Sequence, residues 1–596
     1  METKTLIENT GGGQPVAALD VDQMNENKSV AARIKRQLNY SLLGLTILAV
    51  ILGGLVAYGA YGFRLSYRLF DQWIHDAGQI SPGLSQLLLL TLGGLFFGLI
   101  LKVLDWQRFQ GPANVIIAVH EHNGRFNIKG GVITAACDTL ALGLGASVGR
   151  YGPAVQLGAT VGAMLGQAIG LTRTGLRVLL GCGVAAAISA SFNAPIAGVI
   201  FAHEVIIGHF SLRALAPITV ASVVAVGVTR FHGFEYVALK LTEESLHLVV
   251  WEYAMYALLG LAAAGVALVY MNGVLRAGEL ASKLRMPIWI QPALGGALAG
   301  AIGWWVPEVL GLGEKTMQGI LDPGIAASTY GIGLLALLCL AKLMASVSCL
   351  GFRYPGGVFS PALFMGAALG GLAGFLAPFL DYQICVLVGM GALIASVIGA
   401  PLATILIVFE LTENYQAATA VMIGVVAANA LVTRYYARSI FHRQILRLGI
   451  DLERPREQRL MAERQMDEIM SPNYLAVQPG STAVELQKLI KRGHEGDIFV
   501  VEGESQRLVG RLSLAALVAA SYDQTALELC EPVNQFLQRS DDLWTGFLAM
   551  ENRVGYLLPV VADNTSMSLV GSVAESDFIA AYRLAVTQVR EEQQGR

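Results

Sequence analysis

The chain has 596 residues, 54% of them apolar and only 14% charged, with a formal net charge of −3. That composition is unlike an ordinary soluble chain and points to a membrane protein. The near-neutral charge says little about partners, and neither an enzymatic activity nor a nucleic-acid partner is expected. Residues 1–37 form a polar tail that ends in Arg33, Lys35 and Arg36 and lacks the apolar core of a cleavable signal peptide. Residues 38–450 read as the membrane domain, with apolar stretches at 42–57, 87–101, 253–270 and 331–340, for example. One clean span needs about 20 apolar residues. Several stretches here are shorter or are interrupted by Gly and Pro, which fits helices that stop partway across and end inside protein. Basic residues flank both ends of the domain, with Arg434, Arg438, Arg443 and Arg447 on the far side. By the positive-inside rule both termini lie in the cytoplasm. The cysteines Cys137, Cys182, Cys339, Cys349, Cys385 and Cys530 show no CxxC spacing and read as small core residues, not as a metal site or disulfide framework. After a linker at 451–464, residues 465–590 turn to a charged, mixed α/β pattern that is itself duplicated, at 465–525 and 526–590.

A larger duplication lies in the membrane domain, with halves at about 38–235 and 248–440. Gly149, Pro153, Gly158, Gly162 and Gly166 align without a gap with Gly357, Pro361, Gly366, Gly370 and Gly374. Ala194-Pro195 and Glu204 align in the same way with Ala400-Pro401 and Glu410. Repeats of this kind in an apolar chain suggest a transporter-like fold whose halves meet near the bilayer midplane. Taken singly, each motif reads as a helix-packing element. In register they read as two helix starts, G-R-Y-G-P and G-V-F-S-P, because glycine admits close backbone approach and proline suits the first turn. A helix start presents free N–H groups with partial positive charge. If the halves are antiparallel, both starts aim at one site that favours an anion. There is no His/Asp/Glu cluster at metal spacing, so no metal site and no obligatory cofactor are expected.

Over 38–450 the chain resembles the CLC chloride channel and transporter family. The resemblance rests on Gly149–Pro153, Gly357–Pro361, Phe192-Asn193-Ala194-Pro195-Ile196-Ala197-Gly198, Phe201 to Glu204, Glu410 to Tyr415, and Ser439-Ile440-Phe441. It implies an α-helical integral membrane protein with inverted repeats and broken helices, and a homodimer in which each subunit carries its own chloride path. The expected setting is a lipid bilayer, the bacterial inner membrane. The C-terminal duplication is similar to a cytosolic α/β CBS pair. It has short strands at 498–501 and 508–512, repeated at 556–561 and 569–573. That likeness implies adenine-nucleotide binding, with a carboxylate after the last strand gripping ribose. Asp577 stands there, whereas the first module has Leu514-Ala515-Ala516. A helix-capping or solvated role for Asp577 stays equally open.

Departures from the family pattern set the functional expectation. The gating glutamate of the first motif is replaced by Tyr151, and the inner glutamate of exchangers by Val205. Gln110, in Phe109-Gln110-Gly111-Pro112-Ala113, takes the place of the serine that contacts the central anion, and Phe441 that of the tyrosine. A phenol has an ordinary pKa of about 10, so Tyr151 is expected to stay neutral and to shuttle no proton. The central anion should rest on the N–H groups of Val358 and Phe359, with further amides from Arg150, Tyr151 and Gly152. Gln110 is a possible further donor, and the Tyr151 hydroxyl a substitute for the one Phe441 lacks. Passive chloride conduction is therefore expected, with Tyr151 and Val205 at the gate positions. Four alternatives remain open. Tyr151 plugs the path; protons use another route through His203 or Glu204; Glu204 and Glu410 serve a divalent-cation channel; or transport is lost and the CBS pair senses nucleotide.

Overall fold

A computed structural model describes residues 42–77, 82–122, 124–210, 212–233, 248–283, 285–436, 438–452, 454–490, 497–552 and 556–594. The polar tail with Arg33, Lys35 and Arg36 lies outside the described residues. Two compact units result, one ending at Gln444 and the other starting at Ile445.

The first unit is helical. Among the described residues, eight helices are long and apolar enough to cross a membrane, and Pro195–Ile207, Tyr382–Ile398 and Pro401–Thr412 are shorter apolar helices. The helix order repeats. Leu42–Ala77 and Val250–Lys283 open the halves with 36 and 34 residues. Tyr151–Ile169 packs on Arg173–Phe192 as Phe359–Leu376 packs on Tyr382–Ile398. The opening helices then pack on Leu212–Phe231 and Tyr415–Tyr435 in the same two ways. Glycine sets the closeness of the first pairing. A Cβ on Gly158 would run into the Gly183 carbonyl, and one on Gly366 would lie 2.5 Å from the Gly389 carbonyl. The aligned glycines therefore bring helix backbones together, since a side chain there has no room.

The halves meet along a pseudo-two-fold axis. Pro82–Val103 packs on Gln291–Trp305, and Pro195–Phe201 packs on Pro401–Thr412. At that second contact the glutamates exchange places. Glu204 accepts hydrogen bonds from Leu402 N (3.1 Å) and Ala403 N (2.9 Å), at the start of the second half's broken helix. Glu410 accepts from Ile196 N (3.0 Å) and Ala197 N (2.8 Å), at the start of the first half's. Each carboxylate caps the other repeat's helix, satisfying N–H groups that apolar surroundings would otherwise leave bare.

The second unit repeats a small α/β arrangement. Strands Leu475–Val477, Ile498–Glu502, Arg507–Leu512 and Glu531–Pro532 form one sheet, its first pair parallel and the rest antiparallel. Strands Leu537–Gln538, Leu557–Val561 and Leu569–Ala574 form the other, again parallel then antiparallel. Even the register shift recurs, at Val500/Val501 and at Val560/Val561. Asp497 ties the modules by accepting from Tyr556 N and Leu557 N. Phe499, Val501, Leu508, Val561 and Leu569 form an apolar cluster shared between them. This is a CBS pair.

Candidate anion site

Two helices begin where the repeats touch. Just ahead of them the backbones of Gly149 and Gly357 pair antiparallel, Gly149 N donating to Gly357 O at 2.7 Å and Gly357 N to Gly149 O at 2.9 Å. A Cβ on Gly149 would lie 2.7 Å from Ser360 N, and one on Gly357 3.0 Å from Gly149 O, so both positions call for glycine. The helices Tyr151–Ile169 and Phe359–Leu376 then start with Arg150 and Val358 at their N-caps, neither supplying a side-chain cap. Elsewhere in the same unit Asn127, Thr172, Asp381 and Asn414 do cap their helices. Pro153 and Pro361 close the two first turns. The remaining first-turn amides, including those of Tyr151, Gly152 and Phe359, sit at the positive ends of two helix dipoles that converge inside the protein.

Around these starts lies an aromatic and charged cluster. The Tyr151 ring stacks on Phe192 (centroids 4.1 Å apart, planes 15° apart) and leans on Phe359 at 4.8 Å, with Phe192 and Phe359 5.4 Å from each other. All three rings are buried. The Arg150 guanidinium donates through Nη2 to the Tyr151 hydroxyl and through Nη1 to the Tyr67 hydroxyl, both at 3.0 Å. Nη1 also lies 2.5 Å from Glu314 Oε1. The Tyr151 oxygen thus accepts from Arg150 and keeps its own hydrogen to donate. The Arg150 amide faces Ser360 Oγ at 3.4 Å, a second link between the two starts. Tyr151 borders two cavities. One is lined by Glu314, Gln318 and Ser360 among others. The other is apolar, with Phe192, Phe359 and Thr404 in its wall.

The other sequence candidates lie as follows. Gln110 donates its backbone N–H to Thr134 Oγ1 at 3.3 Å, and its side chain lies against Gly130. Phe441 is buried in the Ile440–Leu446 helix. The ring contacts and side-chain hydrogen bond described for Tyr151 run instead to Phe192, Phe359 and Arg150. Val205 sits in a π-helical turn, Ala202–Ile207, that continues the Pro195–Phe201 helix. His203 is enclosed, its Nδ1 3.2 Å from the His209 carbonyl and its ring stacked on Phe210. In the second unit, Asp577 Oδ2 accepts from Ala574 N at 2.9 Å, an N-terminal capping bond of the Glu575–Gln594 helix. Sequence reasoning passed over Tyr67, Phe192 and Glu314 as site residues. The available signal for Glu314 was an acid amid apolar segments, which in a membrane chain marks a functional position by default.

Two inverted apolar repeats, with broken helices whose bare N-termini meet inside the protein, define an integral membrane transport protein. The chain belongs to the voltage-gated chloride channel (CLC) family. The family model described as "Voltage gated chloride channel" matches residues 93–433, and a CBS domain model matches residues 466–523. The chain is 32% identical over 421 residues to a ClcB-like protein of Ralstonia nicotianae, covering 67% of this chain and 96% of that one. It is 30% identical over 418 residues to the voltage-gated ClC-type chloride channel ClcB of Escherichia coli, covering 66% and 97%. A slow cyanobacterial Cl−/H+ antiporter shares the fold, with a TM-score of 0.60 at 20% identity over 69% of this chain and 99% of its own. The family transports chloride, and its members are transporters and channels.

Proposed function

We propose that this protein conducts chloride passively, without proton coupling, as a homodimer in which each subunit holds its own path between the two repeats. The observation that carries this reading is the pair of uncapped helix starts beside Gly149 and Gly357, with a phenol instead of a carboxylate at their meeting point. Three further features support it. Val205 is aliphatic. Glu204 and Glu410 are engaged as reciprocal caps, which argues against a proton route through Glu204 and against a divalent-cation pore built on the pair. His203 is packed between a backbone carbonyl and a phenyl ring. The anion rests on the N–H groups of Val358 and Phe359, then on those of Arg150, Tyr151 and Gly152, with the Tyr151 hydroxyl as a side-chain donor. Gln110 and Phe441 flank the path. Both termini face the cytoplasm of a bacterial inner membrane. The CBS pair binds an adenine nucleotide, Asp577 accepting from ribose through the oxygen its cap leaves over. For the nucleotide to regulate conduction it must prefer one state of the path. The segment 438–447, which carries Phe441, is the lever.

Purified full-length protein in liposomes, with chloride efflux and pH recorded together, tests the reading. Chloride should leave without stoichiometric proton movement. Uphill proton pumping driven by a chloride gradient overturns passive conduction and makes the protein an antiporter, like the cyanobacterial structure that shares its fold. Tyr151→Glu alone should not install full exchange, because Val205 still interrupts the inner half.

A further inference from the structure

We propose that Glu314 is the closing carboxylate of this path: it holds Arg150 across the two repeats, and an anion entering beside Tyr151 competes with it for the guanidinium. The inference rests on the reading above, that anions pass the two helix starts.

The argument begins with Arg150. Its guanidinium is buried, with 6% of the side chain exposed, and a buried cation without a partner is strongly destabilising. Two tyrosine hydroxyls fix its position, but only Glu314 brings it a neighbouring negative charge within the contacts described above. The two partners differ in freedom. Arg150 is held on several sides, whereas the Glu314 side chain is 28% exposed and lines the cavity it shares with Tyr151, Gln318 and Ser360. Arg150 is not in the wall of that cavity, so an anion there meets Nη1 only by taking the place of the Glu314 carboxylate. Such an anion replaces one negative partner of Arg150 by another, so the guanidinium is never left uncompensated while the carboxylate is away.

The backbone behind Glu314 is built to stay still during such an exchange. Lys342, fully buried, donates from Nζ to the carbonyls of Val309 (2.9 Å) and Gly311 (2.8 Å). Ser147 Oγ donates to the same Val309 carbonyl at 2.9 Å, and Gly311 N donates to Gly145 O at 2.8 Å. The loop entering the Glu314–Leu321 helix is thus pinned to both repeats. What remains movable is the side chain. The motif position that carries the gating glutamate elsewhere in the family holds Tyr151 here. The carboxylate instead reaches the site from a different element of the second repeat.

The test compares wild type, Glu314→Gln and Glu314→Asp in the full-length protein, reading chloride flux against chloride concentration and the chloride dependence of Tm in detergent. A tethered competitor acts at an effective concentration in the millimolar range, so its removal in Glu314→Gln should lower the half-saturating chloride concentration about tenfold. Glu314→Asp keeps the charge on a shorter arm and should fall between. Glu314→Gln should also gain more Tm from added chloride than wild type does, because free anion fills the place beside Arg150. That second measurement needs only folded protein in high chloride. If wild type conducts and Glu314→Gln matches it in half-saturation and in chloride-dependent Tm, the role of Glu314 is overturned while the path stands. If wild type neither conducts nor binds any anion, the path itself falls, and the inference with it.

Discussion

The two repeats of the membrane unit agree where they touch each other and disagree where the anion is expected. Agreement runs below the level of residue identity. Asn193 ends its helix at φ 56° and Gly399 ends the matching helix at φ 70°. Gly145 and Arg353 occupy corresponding left-handed turns at φ 85° and 67°. The glutamate caps and the glycine crossings are reciprocal. Divergence is concentrated at two places. One helix start carries the ionic and aromatic pair Arg150–Tyr151, and the other the apolar pair Val358–Phe359. The first half's Pro195–Phe201 helix runs on as a π turn holding Val205, whereas Pro401–Thr412 is regular throughout. The contrast has a physical cause. A contact on a two-fold axis needs both copies to keep their side of it, so neither can drift alone. A single anion path needs each feature only once, so the second copy is free to change. π turns, for their part, occur often at functional sites.

The largest expected effect tests the symmetric part. Gly158→Leu and Gly366→Leu each place a side chain against a backbone carbonyl of the adjoining helix, where no flexible group can yield. Each should cost about 3 kcal/mol or more and abolish monodisperse protein in detergent. A variant that folds normally in one half only would break the equivalence of the two crossings. Next come Glu204→Gln and Glu410→Gln. Hydrogen bonds to a charged acceptor contribute about 1.5–3 kcal/mol, and each glutamate accepts two from backbone N–H groups. The two variants should lose similar amounts of Tm. A loss confined to one would show that the caps are not equivalent. Loss of transport at unchanged Tm in either would return that carboxylate to a transport role.

Much of this was legible in the sequence, because glycine, proline and glutamate in register are conspicuous in an apolar chain. The repeat, the broken helices and the paired small sheets all follow from period and punctuation. The rest was hidden for identifiable reasons. The register showed that Glu204 matches Glu410, but not that each serves the opposite copy, since a cap supplied across an axis leaves no local spacing. Asn193 and Gly399 share a conformation without sharing an identity. Arg150 was read for its backbone amide, whereas its side chain organises Tyr67, Tyr151 and Glu314, three residues far apart in the chain. Gln110 and Phe441 came from matching a motif position. A motif position alone does not say which way a side chain is turned, so their place beside the path stays a proposal; Gln110 lies against Gly130.

A smaller effect sharpens the asymmetric part. Tyr151→Phe keeps the ring on Phe192 and Phe359 and removes only the hydroxyl that accepts from Arg150. Arg150 retains Tyr67 and Glu314, so the stability change should be about 1 kcal/mol. Bromide or chloride binding should weaken by more than this structural loss explains, because the donor is lost as well. Unchanged binding would mean that the ring alone matters, as a steric gate between its two cavities.

The smallest effect separates two roles of one residue in the CBS pair. The modules cap their last helices differently. Ser513 accepts from Ala516 N at 3.2 Å in the first, while Asp577 reaches back to Ala574 N at 2.9 Å in the second. Removing either cap should cost about 1 kcal/mol in the stability of that module. Asp577→Ala therefore lowers stability whether or not a nucleotide ever binds, and by itself cannot reveal a ligand role. Asp577→Asn keeps a carbonyl oxygen for the cap and removes the charge. Stability should then return to near wild type, while a ribose loses its carboxylate acceptor. Calorimetry of full-length protein with ATP, ADP and AMP, run on wild type and both variants, divides the cases. Weakened binding in Asp577→Asn at preserved Tm assigns Asp577 to the ribose. No binding of any of the three to wild type leaves Asp577 as a helix cap, equivalent in function to Ser513, and makes the pair an assembly element.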